Sequence, residues 1–258
     1  MSRIKEAFAR GKAFIPFVTC GDPDLETTGK IVRAMQENGA DLIELGIPFS
    51  DPTAEGPVIM EADRRALAGG VTTDMIFDFV KALRRDVTVP LVFMTYANVV
   101  YSYGIEKFAA QSAEAGLDGL ILPDVPLEEK EEFAPAFRSR GLDFISMVAP
   151  TSAARTARIA QQAEGFVYIV SSLGVTGVRG EITTDVGAIV SLVRENTDAP
   201  CAVGFGISTP AQAAGMAARS DGAIVGSAVV KLAAQYGRDA APEIGAYVRA
   251  MSAAVHGG

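Results

Sequence analysis

Residues 38–46 read Asn-Gly-Ala-Asp-Leu-Ile-Glu-Leu-Gly, NGADLIELG. The stretch holds two signals back to back. Asn38-Gly39 is a helix stop, with glycine free to take the left-handed conformation that closes a last turn. Asp41–Gly46 follows as a short apolar run without polar alternation, the pattern of a parallel strand buried on both faces. The same punctuation returns at Ala115-Gly116-Leu117-Asp118 and at Arg140-Gly141-Leu142-Asp143. The chain repeatedly ends a helix, turns on a glycine and starts a buried strand.

Working outward, seven more such runs are found: Phe14–Thr19, Pro90–Tyr96, Gly119–Asp124, Asp143–Ala149, Phe166–Ser171, Ala199–Gly204 and Gly222–Val225. Between them, apolar residues recur at i, i+3, i+4 and i+7, as at Ile76, Phe79, Val80 and Leu83, or Val186, Ile189, Val190 and Val193. Eight strands alternating strictly with eight helices predict a (β/α)8 TIM barrel of the α/β class, with a helix ahead of the first strand. A doubly wound open sheet uses the same units, but eight unbroken βα repeats favour closure. The longest interval between strand starts, Asp41 to Pro90, predicts an extended loop after the second strand. A second extended loop is expected after the sixth. No linker divides the chain, so residues 1–258 are expected to form one domain.

Composition removes several function classes. The net charge of −8 is the wrong sign for a nucleic-acid surface. No apolar run is long enough to cross a bilayer. Two cysteines, Cys20 and Cys201, make no disulfide framework and fit a reduced cytoplasmic setting. The single histidine, His256, falls in a C-terminal tail expected to fray, so histidine triads and histidine-held metals are not expected. None of the seven lysines ends an apolar run, which argues against a Schiff base. Carboxylates and backbone amides remain.

Barrel chemistry belongs at the carboxyl ends of the strands. The second strand ends at Glu44, within ELGIPFSDPTAEGP (44–57), which also carries Asp51 and Glu55. A carboxyl group in an apolar run is partly desolvated, which raises its pKa and lets it give and take a proton near neutrality. A structural acid paired with arginine is the alternative. Asp51, before Pro52, fits a turn, and Asp124 fits a helix cap. The third and fourth strands are expected to end at Tyr96 and Asp124. The last three strands end in GVTG (174–177), GFGIS (204–208) and Gly226-Ser227. Small turns leading into helices let backbone N–H groups approach a phosphate. Tight corners with no ligand are the alternative.

Taken together, PFVTCGDPD (16–24), ELGIPFSDPTAEGP (44–57), MTYAN (94–98), LPDVP (122–126), APTS (149–152), GVTG, GFGIS and GSAVVK (226–231) resemble the α subunit of tryptophan synthase along the whole chain. The resemblance implies retro-aldol cleavage of indole-3-glycerol phosphate to indole and glyceraldehyde 3-phosphate, with no metal and no cofactor on this chain. Glu44 matches the catalytic acid/base, and Glu55 the acceptor of the indole N–H. Gly177, Gly206, Gly226 and Ser227 match the phosphate site. Phe17, Ile59, Tyr96, Ile121, Tyr168 and Phe205 match positions around the indole, Thr176 a loop-closing residue, and Asp51 a partner contact. The implied partner is a β subunit carrying pyridoxal phosphate, in an αββα heterotetramer that passes indole through a tunnel. Two positions depart from the better-known members: Glu55 stands in place of Asp, and Met60 in place of Gln.

Overall fold

The computed structural model describes residues 2–171, 185–204 and 206–257. Eight parallel strands close a barrel in chain order: β1 Ala13–Thr19, β2 Ile43–Gly46, β3 Leu91–Met94, β4 Gly119–Ile121, β5 Asp143–Val148, β6 Val167–Val170, β7 Cys201–Gly204 and β8 Gly222–Val225. β8 pairs back onto β1, with Ala13 opposite Gly222. All eight runs expected from the sequence are strands, mostly shortened at their ends. All seven residues of β1 are buried, because one face meets helices and the other the barrel interior.

Alternation along each strand divides two cores. Phe14, Val18, Ile43 and Leu45 belong to the outer core, packed with the surrounding helices. Ile15, Leu42, Val92, Ile121, Ile145 and Ile224 fill the inside of the barrel. Helix α1 (Arg3–Ala9) plugs the amino-terminal end. Its Ile4 is fully buried in the interior cluster, and Phe8 meets Phe166 at 5.5 Å between ring centroids. Asp118, just before β4, ties the plug to the barrel. Its carboxylate accepts from Arg3 and Arg84, each at 2.6 Å, and from the Leu91 N–H at 2.9 Å.

The helices depart from one per strand. After α2 (Leu25–Glu37), the interval from β2 to β3 holds two helices, α3 (Pro57–Ala68) and α4 (Thr73–Leu83). The extended loop expected there is therefore only the stretch 47–56. Helix α3 starts with Gly56 as cap and Pro57 in its first turn, and buries Ile59, Ala62, Asp63 and Ala66. A carboxyl group on the inward face obscured the apolar period. Two helices also follow β3, α5 (Ala97–Tyr103) and α6 (Ile105–Ala115). Then come α7 (Lys130–Arg138), α8 (Ala153–Gln161), α9 (Val186–Arg194) and α10 (Pro210–Ala217). Two more follow β8, α11 (Ser227–Tyr236) and α12 (Ala240–His256).

Three local expectations are corrected. β3 ends at Met94, and Tyr96 caps the start of α5. β4 ends at Ile121, and Asp124 accepts the Ala97 N–H at 3.0 and 3.2 Å, so it caps α5 and not the helix that follows it in sequence. His256 is not frayed: it ends α12, with Nε2 2.8 Å from Asp41 Oδ2 and Nδ1 3.3 Å from the Ser252 hydroxyl. Of the loop expected after the sixth strand, 172–184 lies outside the described residues.

Candidate active site

Register sets the first part of the site. Phe17 on β1 is the parallel partner of Glu44 on β2. Alternation points Glu44 into the barrel with Leu42, one layer nearer the carboxyl end. Glu44 is 1% exposed, and its Oε1 has no hydrogen-bond partner among the described residues. Burial pushes its pKa up to about 8, because among the described residues no cation or donor offsets the loss of water. Such a group is protonated at neutral pH yet close enough to ionisation to return a proton.

The cavity above it is lined by Phe17, Glu44, Glu55, Ile59, Tyr168, Gly206, Gly226 and Ser227, all expected from the sequence. Two glycines make room for its aromatic walls. A Cβ on Gly46 would stand 2.5 Å from Cζ of Phe17 and 2.8 Å from its Cε2. A Cβ on Gly204 would drive into the phenol of Tyr168. The walls depend on small residues at the last inward position of β2 and β7.

Two expected pocket residues do not line the cavity. Ile121 is fully buried in the interior layer below it. Tyr96 stands behind the loop after β2: its hydroxyl oxygen accepts the Ala54 N–H at 3.1 Å, and its ring stacks on Phe49 at 5.3 Å. Asp51 is exposed on that loop and takes a hydrogen bond from Ser50. Thr176, Gly177 and Phe205 lie outside the described residues. The sequence reading missed Ala54, Met94, Pro123, Met147, Ile207 and Ile224, which also line the cavity. Met94, Met147 and Ile224 sit on strands buried on both faces, where composition does not tell inward from outward. Counting by twos from Glu44 through the strand register would have found them.

The two helices that follow β7 and β8 have different amino termini. α10 is closed by its own sequence: Thr209 and Gln212 form a capping box, and Gln212 also accepts the Ser208 N–H at 2.9 Å. α11 has Gly226 as cap and no side-chain cap. The Gly226 carbonyl takes the N–H groups of Val229 and Val230, at 2.9 and 3.1 Å, and the terminus opens beside the cavity at Gly226 and Ser227. Gly206 reaches the same cavity with φ +77°, a conformation that glycine adopts without strain. Such an end attracts an anion.

Among the described residues, no group of three or more His, Cys, Asp or Glu is placed to hold a metal, and no helix is long and apolar enough to cross a membrane. A buried carboxyl with a raised pKa, a second carboxyl and an open helix terminus around an apolar cavity at the end of a closed barrel are the arrangement of an acid–base barrel enzyme. The comparisons narrow that class. The tryptophan synthase alpha chain model matches residues 4–255. The tryptophan synthase alpha chain of Lactiplantibacillus plantarum is 49% identical over 258 residues, covering 100% of this chain and 97% of the relative. The solved tryptophan synthase subunit alpha of Legionella pneumophila is 37% identical with a TM-score of 0.89, covering 99% and 98% of the two chains. A chain of Mycobacterium tuberculosis tryptophan synthase is 35% identical with a TM-score of 0.90, over 99% and 98%. The protein belongs to the tryptophan synthase alpha chain family.

Proposed function

We propose that the chain, as one barrel domain over residues 1–258, cleaves indole-3-glycerol phosphate to indole and glyceraldehyde 3-phosphate, and that Glu44 and Glu55 carry the reaction. The observation that supports this best is Glu44: a buried carboxyl with an oxygen unpartnered among the described residues, its pKa raised by desolvation at the wall of an apolar cavity.

In the first step Glu44 gives its proton to indole C3, and Glu55 accepts the ring N–H as positive charge develops there. The Glu44 carboxylate then takes the proton of the glycerol 3′-hydroxyl. That oxygen forms the carbonyl of glyceraldehyde 3-phosphate, the carbon–carbon bond breaks, and its electron pair returns to the ring to give indole. Glu44 ends protonated, so the cycle consumes no external acid or base. Gly206, Gly226 and Ser227 bind the phosphate through the α11 terminus, with the Ser227 hydroxyl assisting. Phe17, Ile59 and Tyr168 hold the indole and exclude water. Gly177, Phe205 and Thr176 belong to the same reading as a phosphate contact, an indole neighbour and a loop-closing residue.

The same reading gives the chain no cofactor of its own and a pyridoxal phosphate-bearing β subunit as partner, in an αββα heterotetramer in the cytoplasm. Asp51, exposed on the loop beside the cavity, is its proposed contact with that subunit.

Glu44→Gln tests the assignment. Indole release should fall by about 10²–10⁴, the usual worth of a positioned acid or base, while an indolyl alkyl phosphate still binds. Turnover by Glu44→Gln at the parent rate would overturn the role.

A further inference from the structure

A buried carboxyl group holds the loop after β2 from behind. Asp63, on the inward face of α3, is 4% exposed. The Phe49 N–H donates to it, and its side chain is hydrogen-bonded to that of Glu55. The nearby guanidinium of Arg65 is committed elsewhere, with two bonds of 2.8 Å to Asp22. Two carboxyl groups in contact, with no cation between them among the described residues, cannot both ionise cheaply; they share one proton. Burial raises both, and the Glu55 charge pushes Asp63 further, up to about 9. A shared proton places a hydrogen-bond donor between Asp63 and Glu55. The other Glu55 oxygen, Oε2, is buried without a partner among the described residues, on a residue that lines the cavity.

We propose that Asp63 is the positioning residue of the second carboxylate, donating its carboxyl proton to Glu55 while accepting from the Phe49 N–H. One side chain thus clasps both ends of the loop and leaves one Glu55 oxygen for the substrate N–H. Nearer the surface, Tyr96 adds a second hold, on Ala54 and the Phe49 ring. The inference rests on Glu55 as the indole N–H acceptor, and its tests are chosen to fail separately from that reading.

The proton is read by carboxyl-carbon NMR of the whole chain carrying Glu44→Gln, which removes the other raised group. Asp63 should be in its acid form at pH 7, titrate near pH 9, and move down by at least about one pH unit when Glu55→Gln is added. An Asp63 signal already ionised at pH 7 overturns the inference. In otherwise unaltered protein, Asp63→Ala should lower kcat at least about tenfold, since small misplacements of reacting groups are costly, with a much smaller change in KM. Asp63→Asn, which still donates to Glu55 and accepts from Phe49, should restore most of that loss. Equal losses in the two variants, or no loss in either, overturn it. Parent-like turnover by Glu55→Gln would instead remove the role of Glu55, and the titration would still decide whether the pair shares a proton.

Discussion

Phe17 and Glu44 are register partners in neighbouring parallel strands, and both line the same cavity. The pairing sets an apolar ring beside the carboxyl group and keeps water from it. The raised pKa of Glu44 is thus a property of strand register as well as of the residue.

That pKa makes stability depend on pH. Glu44 titrates near 4.5 when solvated and at about 8 in the folded protein. The folded state holds the proton more tightly, so its contribution is most favourable below pH 4.5 and is lost as pH rises through 8. Glu44→Gln removes the loss. Relative to the parent, the variant should gain up to about 1.4 kcal/mol per pH unit across that window, measured by urea unfolding at pH 5, 7 and 9. A pH-independent difference would show that Glu44 is not desolvated in the folded protein.

Gly46→Ala tests the room behind Phe17. The added methyl meets the ring well inside contact distance, so Phe17 must shift into the cavity. Overpacking of this kind costs about 1–3 kcal/mol. The variant should also bind an indolyl alkyl phosphate more weakly by calorimetry. Unchanged stability and affinity would mean that the ring yields freely.

Tyr96→Phe keeps the stack on Phe49 and removes only the oxygen that accepts the Ala54 N–H. The cost to stability should be about 1 kcal/mol, that of one hydrogen bond. Because Ala54 adjoins Glu55, kcat should fall more than stability accounts for at saturating substrate. A variant with full kcat would show that Asp63 alone suffices to hold the loop.

At the opposite end of the barrel, Asp118→Ala leaves Arg84, with a side chain only 11% exposed, without its carboxylate. Breaking a buried pair from one side typically costs about 3–5 kcal/mol. The loss should appear in the urea midpoint, with little change in KM because the residue is remote from the cavity. A loss under about 1 kcal/mol would indicate that Arg84 is adequately held by the backbone carbonyls of Gly116, Val87 and Val89.

The strands were legible because a parallel strand buried on both faces leaves an uninterrupted apolar run, as at Phe14–Thr19. Glu44 was legible because an acid is conspicuous there. Helix α3 was not, since Asp63 interrupts its inward face, and a carboxyl group at that position reads as a loop or surface residue. Tyr96 and Asp124 were read as strand ends because the residues that follow β3 and β4, Thr95-Tyr96 and Leu122-Pro123, are buried or half-buried like the strands before them.

Local sequence alone determined the repeat of strand, glycine-ended helix and strand, and with it the face on which chemistry would lie. Periodicity and turn chemistry act over a few residues, so they can be read in one dimension. Which carboxyl groups meet depended on closure of the barrel. Glu44 acquires its raised pKa only when β1 and the loop after β2 shut out water, and Asp63 reaches Glu55 only when α3 folds back beneath that loop. Desolvation and proton sharing belong to the packed arrangement, and no single stretch of the chain contains them.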